Sequence, residues 1–478
     1  MLYKSSLILN QKRVNAQASK FSRTLKTLNV AVCGAGVVGS GVLRILNQQR
    51  PIFRAQGFDF SVTHVVARST VDSNLLVGHS NAKVNTSTID VLADDNLDMV
   101  VEVMGGEGGA ARDVVLGAAA RGLHVVTANK ALLAHSLPDI YKSFSGLRKP
   151  RLGYEASVAG VIPIIRVLRN SLVSDNIKSI QGIMNGTTNF ILSAMAAPGG
   201  GTFAEELKKA QDAGFAEADA TADLEGHDAR NKLVLLTRLA FGVTVHPSEV
   251  RTIGIQGVSA FDFLCAKELG CTIKLIGQAY TMDDHAGKKG KGSSSSSADG
   301  SVNGTETRKE KKRQLLDLAV APALVPTKSI LGSTNGALNA VVVEGEFSGR
   351  TIYTGAGAGS VPTAVSVVSD MISIAQGTIG SSPFPRPKPS AKTGEVIRVT
   401  SSKIGAPTSQ DWLVRGSIDA VNSLKKKATS FLTRSDLTSS NEAALVLSGL
   451  SQAALSRILS KVDTKEGKSL FTTYPIQK

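Results

Sequence analysis

Leu28-Asn29-Val30-Ala31-Val32-Cys33-Gly34-Ala35-Gly36-Val37-Val38-Gly39 decides the fold of this 478-residue chain. A short apolar run enters the turn Gly34-x-Gly36-x-x-Gly39, and the helical pattern GVLRILNQQ follows. Strand, glycine turn and helix in that order let the backbone approach a pyrophosphate and aim a helix N-terminus at it. A purely structural glycine turn is the plainer alternative; the context favours a dinucleotide. Working outward, further strands are expected at 62–67, at 99–104 (ending at Gly105-Gly106) and at 124–127 (ending at Ala128-Asn129-Lys130), with an alanine-rich helix over 112–120. Strands alternating with helices at this spacing predict a parallel sheet wound on both faces.

The texture changes near Tyr154, where strands such as 177–183 mix with longer helices. The expected fold class is α/β: a Rossmann-type doubly wound parallel sheet, an α+β catalytic domain and a small C-terminal α+β module. The expected organisation is a basic tail or presequence at 1–27 and an NAD(P)-binding domain at 28–153 plus 350–380. A catalytic and dimerisation domain spans 154–349 and carries a low-complexity, disordered insert at 286–313 (it contains KKGKGSSSSSADGSVNG). A Pro-rich linker follows at 381–390, then a module at 391–478. In that module 395–400 and 444–448 read as strands, 452–462 as a helix and 470–473 as a last strand.

Composition is that of a globular protein, 42% hydrophobic and 19% charged. The formal charge of +15 raises a nucleic-acid partner. Its distribution argues against one. Lys4, Lys12, Arg13, Lys20, Arg23 and Lys26 lie in the acid-free first 29 residues, and the insert holds eight Lys or Arg against Asp299, Glu306 and Glu310. The body between these segments is only mildly basic. The uncharged stretch 351–369 has the length of a membrane span, but its glycines, Pro362 and hydroxyl residues exclude that reading, so no membrane partner is expected. Cys33, Cys265 and Cys271 are too few for a disulfide framework and show no metal spacing with the seven histidines. The acid-free N-terminus resembles a mitochondrial presequence, with a plain basic tail as the alternative. The expected location is therefore mitochondrial or cytoplasmic.

Chemistry concentrates in GFAEADATADLEGHDARNKLVLLTRLAF, beginning at Gly214. Its acids (Glu217, Asp219, Asp223, Glu225, Asp228) run into an apolar helix. Asp228 and Lys232 lie four apart, on one helix face, and Leu235, Leu236 and Leu239 continue that face. A surface salt bridge is the plain alternative. A buried lysine with carboxylates beside it is instead a candidate proton carrier. At the end of the second strand, Ala67-Arg68-Ser69 offers a cation where NAD would need a carboxylate, which favours NADP, with NAD possible. Lys130 follows a strand at the sheet's carboxyl edge, where such sheets bind ligands. Glu155, before the small-residue turn ASVAG, could help hold a hard monovalent cation, or simply enter a helix. Asn185-Gly186-Thr187-Thr188-Asn189 is a polar turn suited to an amino acid, or to satisfying its own loop.

Together these segments resemble the homoserine dehydrogenase family. The carrying residues are GAGVVG at 34–39, TANK at 127–130, YEASVAG at 154–160, NGTTNFIL at 185–192, GFAEAD with DLEGHDARNK within 214–232, and GAGAG with PTA within 355–364. They occur in the family's order over about residues 28–375. The resemblance implies reversible reduction of L-aspartate 4-semialdehyde to L-homoserine with NAD(P)H. It makes Lys232 the proton-transferring lysine, with Asp228 beside it in the catalytic pair. Glu217, Asp223, Asp228, Thr187 and Lys130 become substrate-binding residues. Gly34, Gly36, Val37, Val38, Gly39, Arg68, Met104, Lys130, Gly214 and Gly357 become cofactor-binding. Glu155 with main-chain oxygens of Val158, Gly160 and Ile162 would form a structural sodium site. A homodimer and the monofunctional form are implied, and threonine feedback would follow from a degenerate ACT-like module at 391–478. The chain departs from the family at Val161, often glycine, and at Ala220, often proline.

Three rival classes remain at this point. A nonenzymatic dinucleotide sensor would bind cofactor yet leave the acid–lysine segment unexplained. A thiolate-dependent aldehyde dehydrogenase needs a cysteine at the nicotinamide, whereas Cys33 lies at the phosphate turn. A nucleic-acid binder fails on the charge distribution.

Overall fold

The computed structural model describes residues 25–147, 149–283, 312–380, 382–384, 395–400, 410–427, 432–438, 442–450, 452–460 and 471–477. Its first sheet holds six parallel strands: β1 (Lys26–Cys33), β2 (Phe58–Val66), β3 (Lys83–Asn85), β4 (Met99–Glu102), β5 (His124–Thr127) and β6 (Leu152–Gly153). Their order is β3-β2-β1-β4-β5-β6. Both faces are covered, as parallel sheets require. Val30 and Val32 point into one apolar cluster, Ala31 and Cys33 into the other. Helix α1 (Val37–Gln48) leaves the glycine turn, and α2 (Gly109–Ala120) and α3 (Lys130–His135) follow later strands. The short β3 and β6 carry no apolar run long enough to be read from sequence. Lys26 and Thr27 already belong to β1, so the expected tail ends earlier than 27; residues 1–24 lie outside the described residues.

The second sheet is mixed and has eleven strands. Its catalytic half contains β7 (Ile177–Ile183), β8 (Arg251–Thr252), β9 (Cys271–Asp283), β10 (Lys312–Pro326), β11 (Leu338–Gly345) and β12 (Gly349–Ala356). Helices α4 (Gly186–Ala196), α5 (His227–Phe241) and α6 (Ala260–Glu268) belong to the same part, and α7 (Ser360–Ala375) follows it. The chain returns to the nucleotide domain only at α7, not at 350, because β12 pairs antiparallel with β11. Ala364, Val367, Val368 and Met371 of α7 then join Val42, Leu43 and Leu46 of α1 in one core. The expected insert at 286–313 falls outside the described residues except for Lys312 and Arg313, which open β10.

Strand β13 (Glu395–Thr400) lies parallel on β10, so the terminal module proper starts later than 391. It runs β14 (Gln410–Ser417), α8 (Ile418–Lys427), β15 (Leu432–Thr438), β16 (Glu442–Leu450), α9 (Gln452–Leu459) and β17 (Phe471–Ile476). Its strands are antiparallel in the order β17-β14-β16-β15, a split βαβ arrangement. β14 and α8 supply a start that sequence did not disclose. A single residue pair, Leu324 with Ile476, joins β17 to β10. Of the linker expected at 381–390, only 382–384 is described: Phe384 is buried, and the Arg238 guanidinium of α5 lies 5.4 Å from its ring centroid. No helix among the described residues is long and apolar enough to cross a membrane.

Candidate active site

The glycine turn keeps its tight shape only because Gly34 and Gly39 carry no side chain, and it leaves open space beside Gly36. Gly34 has φ 111°, a Cβ on Gly36 would meet open space, and a Cβ on Gly39 would sit 1.8 Å from the Gly34 carbonyl oxygen. Gly36 caps α1 without a side-chain hydrogen bond, so the first N–H groups of Val37 and Val38 remain available to an anion. From the far side the Ser360 hydroxyl donates to the Val37 carbonyl (2.5 Å), joining the loop that contains Gly357 to this turn. Gly39→Ala should therefore weaken NADPH binding by at least about tenfold, read from the fluorescence of the bound reduced cofactor. Arg68 is exposed just beyond β2. Met104 follows β4, its N–H donating to the Glu102 carboxylate (2.9 Å).

Helix α5 carries the acid–lysine pair into the interior. Both side chains are 9% exposed, and Lys232 Nζ stands 2.7 Å from Asp228 Oδ2. The same ammonium donates to the Met184 carbonyl (2.7 Å), just past β7. Lys130, at the start of α3, brings a second ammonium to 3.2 Å from Asp228 Oδ1 while its side chain stays 40% exposed. Asn185 caps α4 and donates to both Asp228 (2.9 Å) and Asp223 (2.7 Å). Thr187, two residues on, donates to the Phe215 carbonyl (2.6 Å), beside Gly214. One cluster of ion pairs and hydrogen bonds thus collects Lys232, Asp228, Lys130, Asp223 and Thr187. Glu217 is exposed and reaches Lys130 only through its charge.

The charges order themselves by partner. Burial pushes Asp228 up, but the Lys232 and Lys130 ammonium groups outweigh it and hold its carboxyl well below the usual range. Asp228 in turn raises Lys130 against the cost of burial. Burial and the neighbouring Asp228 charge push Asp223 up. Burial also pushes the Cys33 and Cys265 thiols up to about 12 and raises Cys271, which removes the thiolate that an aldehyde-dehydrogenase chemistry would need.

Sequence reasoning missed the group that sets Lys130 in place. Glu102, at the end of β4, is fully buried. Its carboxylate accepts from Met104 N, from the Thr127 hydroxyl (2.6 Å) and from Asn129 Nδ2 (3.4 Å). Asn129 also donates to the Gly106 carbonyl and caps α3 through Leu132 N. One acid therefore ties the Met104–Gly106 loop to the TANK turn. A lone glutamate in an apolar strand gives no local sign of this.

Glu155 is buried, and its two oxygens accept from Ile165 and Arg166 N–H groups (2.8 Å each). Burial and nearby Asp370 push it up to about 7. The Gly160 carbonyl accepts from Ser366 (2.8 Å) and the Ile162 carbonyl from Ile164 N–H (2.8 Å); Val158 is buried. Ala159 (φ 55°) is the one non-glycine residue with positive φ among the described residues, so this turn holds a costly shape. Each of these oxygens keeps a lone pair, and the set contains only oxygen, the chemistry of a hard cation's site. Among the described residues no cluster of three or more His, Cys, Asp or Glu could hold a metal.

Comparison with known proteins places this geometry. A family model described as homoserine dehydrogenase matches residues 163–372, and one described as its NAD binding domain matches 34–145. Homoserine dehydrogenase of Neisseria gonorrhoeae is 37% identical over 353 residues, covering 74% of this chain and 73% of that protein. The Mycobacterium bovis enzyme of the same name is 39% identical over 364 residues, covering 76% and 75%. A crystal structure of a homoserine dehydrogenase from Thiobacillus denitrificans superposes with TM-score 0.76 at 28% identity, covering 95% of this chain and 99% of that one. An S. aureus homoserine dehydrogenase structure gives TM-score 0.68 at 29% identity with the same coverage. The parallel sheet is thus an NAD(P)-binding domain. With the glycine turn at one end of the loop that contains Gly357 and a buried lysine–carboxylate pair past β7, the chain belongs to the homoserine dehydrogenase family.

Proposed function

We propose that this chain catalyses the reversible NAD(P)H-dependent reduction of L-aspartate 4-semialdehyde to L-homoserine. One observation carries the reading: a buried ammonium, Lys232, is held by one carboxylate and one carbonyl, with a second ammonium, Lys130, on the same acid. When bound, the reduced nicotinamide supplies a hydride to the substrate's carbonyl carbon. Lys232 gives its proton to the oxygen as that bond forms and takes it back in the oxidative direction. Asp228 aims the ammonium, and the family resemblance would put Lys130 between cofactor and substrate. Glu217 and Asp223 receive the substrate's ammonium, and Thr187 faces its amino-acid end.

The test is to mix the purified chain with L-homoserine and NADP and follow the absorbance of reduced nicotinamide. A homoserine-dependent rise is expected. Cofactor binding without any rise, with NADP or NAD, would leave the sensor reading in its place.

Exposed Arg68, with no acid at the same strand end, supports NADP over NAD. Arg68→Ala should lower the ratio of kcat/KM for NADP to that for NAD by about tenfold or more; an unchanged ratio would remove Arg68 from the account. The oxygen-only turn of Glu155, Val158, Gly160 and Ile162 supports a structural sodium ion. A homodimer finds support in edge strand β12, with Ile352 40% exposed on it and Phe347 77% exposed in the turn before it, because an uncovered edge invites a partner.

A further inference from the structure

Asn185 lies just past β7, caps α4 and is buried. Its side chain uses both ends. Oδ1 accepts from the Thr188 N–H (2.8 Å) and the Thr188 hydroxyl (2.9 Å), which is ordinary helix capping. Nδ2 points the other way and donates to Asp223 Oδ1 (2.7 Å) and Asp228 Oδ2 (2.9 Å). These partners fix the amide's orientation, because a flipped amide would set its oxygen against two carboxylates. Capping needs only the oxygen, so the two bonds from the nitrogen are surplus to it.

Two carboxylates drawn to one nitrogen repel, and such a pair tends to share a proton. The neighbouring cations do not divide evenly between them. Lys232 of α5 and Lys130 of α3 both pair with Asp228, and among the described residues no cation pairs with Asp223. Glu217 adds a further negative charge that acts on Lys130. Burial and the Asp228 charge push Asp223 up, while the Asn185 amide and the Lys232 charge pull it down. Asp223 is half-buried, so it is not sealed from solvent. We infer that Asn185 is a positioning residue that keeps Asp223 ionised beside Asp228, leaving Asp223 to the substrate's ammonium and Asp228 to Lys232. A neutral donor suits that place. It satisfies both acids without supplying the positive charge that the substrate brings, whereas a cation there would pair with Asp223 itself. This inference rests on the activity proposed above.

The experiment measures the KM for L-homoserine at saturating NADP, from about pH 6 to about pH 9, in the full-length protein and two variants. Asn185→Ser and Asn185→Asp both keep an oxygen for the Thr188 N–H, so α4 stays capped. Serine is too short to reach the acids. Its KM should rise by about tenfold or more at every pH, while NADPH affinity and Tm hold. Aspartate keeps the shape but turns the donor into a third acid. Its KM should come nearest to wild type in acid, where a shared proton restores one bond, and the ratio of the two KM values should grow as pH rises and that proton leaves. If the aspartate variant does not fold, the serine variant alone decides. Variants that keep the wild-type KM overturn the inference, as does an aspartate ratio that stays flat with pH. A serine variant whose NADPH affinity and Tm fall together with the rise in KM also overturns it, since that marks a residue that only holds the helix. A wild type that never oxidises homoserine overturns the activity and this inference together; wild-type turnover with unchanged variants overturns this inference alone.

Discussion

Lys232→Ala is expected to lower kcat by about 10²- to 10⁴-fold, the usual worth of a positioned proton donor, while NADPH affinity changes little. The lysine touches Asp228 and the Met184 carbonyl, and neither belongs to the glycine turn. Loss of the ammonium removes the proton that must reach the substrate oxygen as hydride arrives. Nothing nearby replaces it well. Lys130 is the other ammonium on Asp228, but it is 40% exposed, on α3, and bonded to the opposite carboxylate oxygen. Steady-state kinetics with a parallel fluorescence titration of NADPH checks both parts. A fall in cofactor affinity as large as the fall in kcat would mean that the helix had shifted rather than that a proton donor had been lost.

Asp228→Ala should affect both stability and turnover. It strips the partner from one buried ammonium and one half-exposed one, and leaves the Asn185 side-chain amide without one of its acceptors. Breaking a buried pair from one side typically costs about 3–5 kcal/mol, because the remaining charge stays out of water. Chemical denaturation should show a loss of that order, and kcat should fall at least about a hundredfold as the lysine loses its aim. The sign with pH follows from the depressed carboxyl. A group held below its unfolded value stabilises the fold above that value and loses the contribution as pH falls through the folded one. Wild type should therefore exceed Asp228→Ala in stability at neutral pH, and the gap should close only in acid below about pH 4.

Local chemistry was legible in the chain, and long-range chemistry was not. The GAGVVG turn could be read because its glycines, strand and helix are contiguous. The stripe Leu235, Leu236, Leu239 predicts an inward-facing helix for Lys232. In the structure Leu233, Val234 and Arg238 are buried too, so α5 is enclosed on nearly every side and the stripe was not what discriminated. The pairing of Asp228 with Lys232 is a matter of helix spacing; its pairing with Lys130 depends on α3 meeting α5 and has no local sign. Glu102 was invisible for the same reason, being a single polar residue in an apolar strand. The terminal module's first strand carries only Trp412, Leu413 and Val414 as an apolar run, and the lysine-rich α8 after it reads as surface, so its start was missed. Edge strand β12, with hydroxyl residues between its apolar ones, reads in sequence as part of the nucleotide domain, whereas its pairing with β11 puts it in the second sheet.

The proton role of Lys232 is tested most directly by the deuterium isotope effect on kcat, using homoserine deuterated at its hydroxymethyl carbon, in wild type and in Lys232→Ala. If that lysine takes the proton as hydride leaves, the variant is slow and the isotope effect on its kcat is larger than in wild type, because the chemical step now limits turnover. A variant that turns over at the wild-type rate with an unchanged isotope effect would contradict the account.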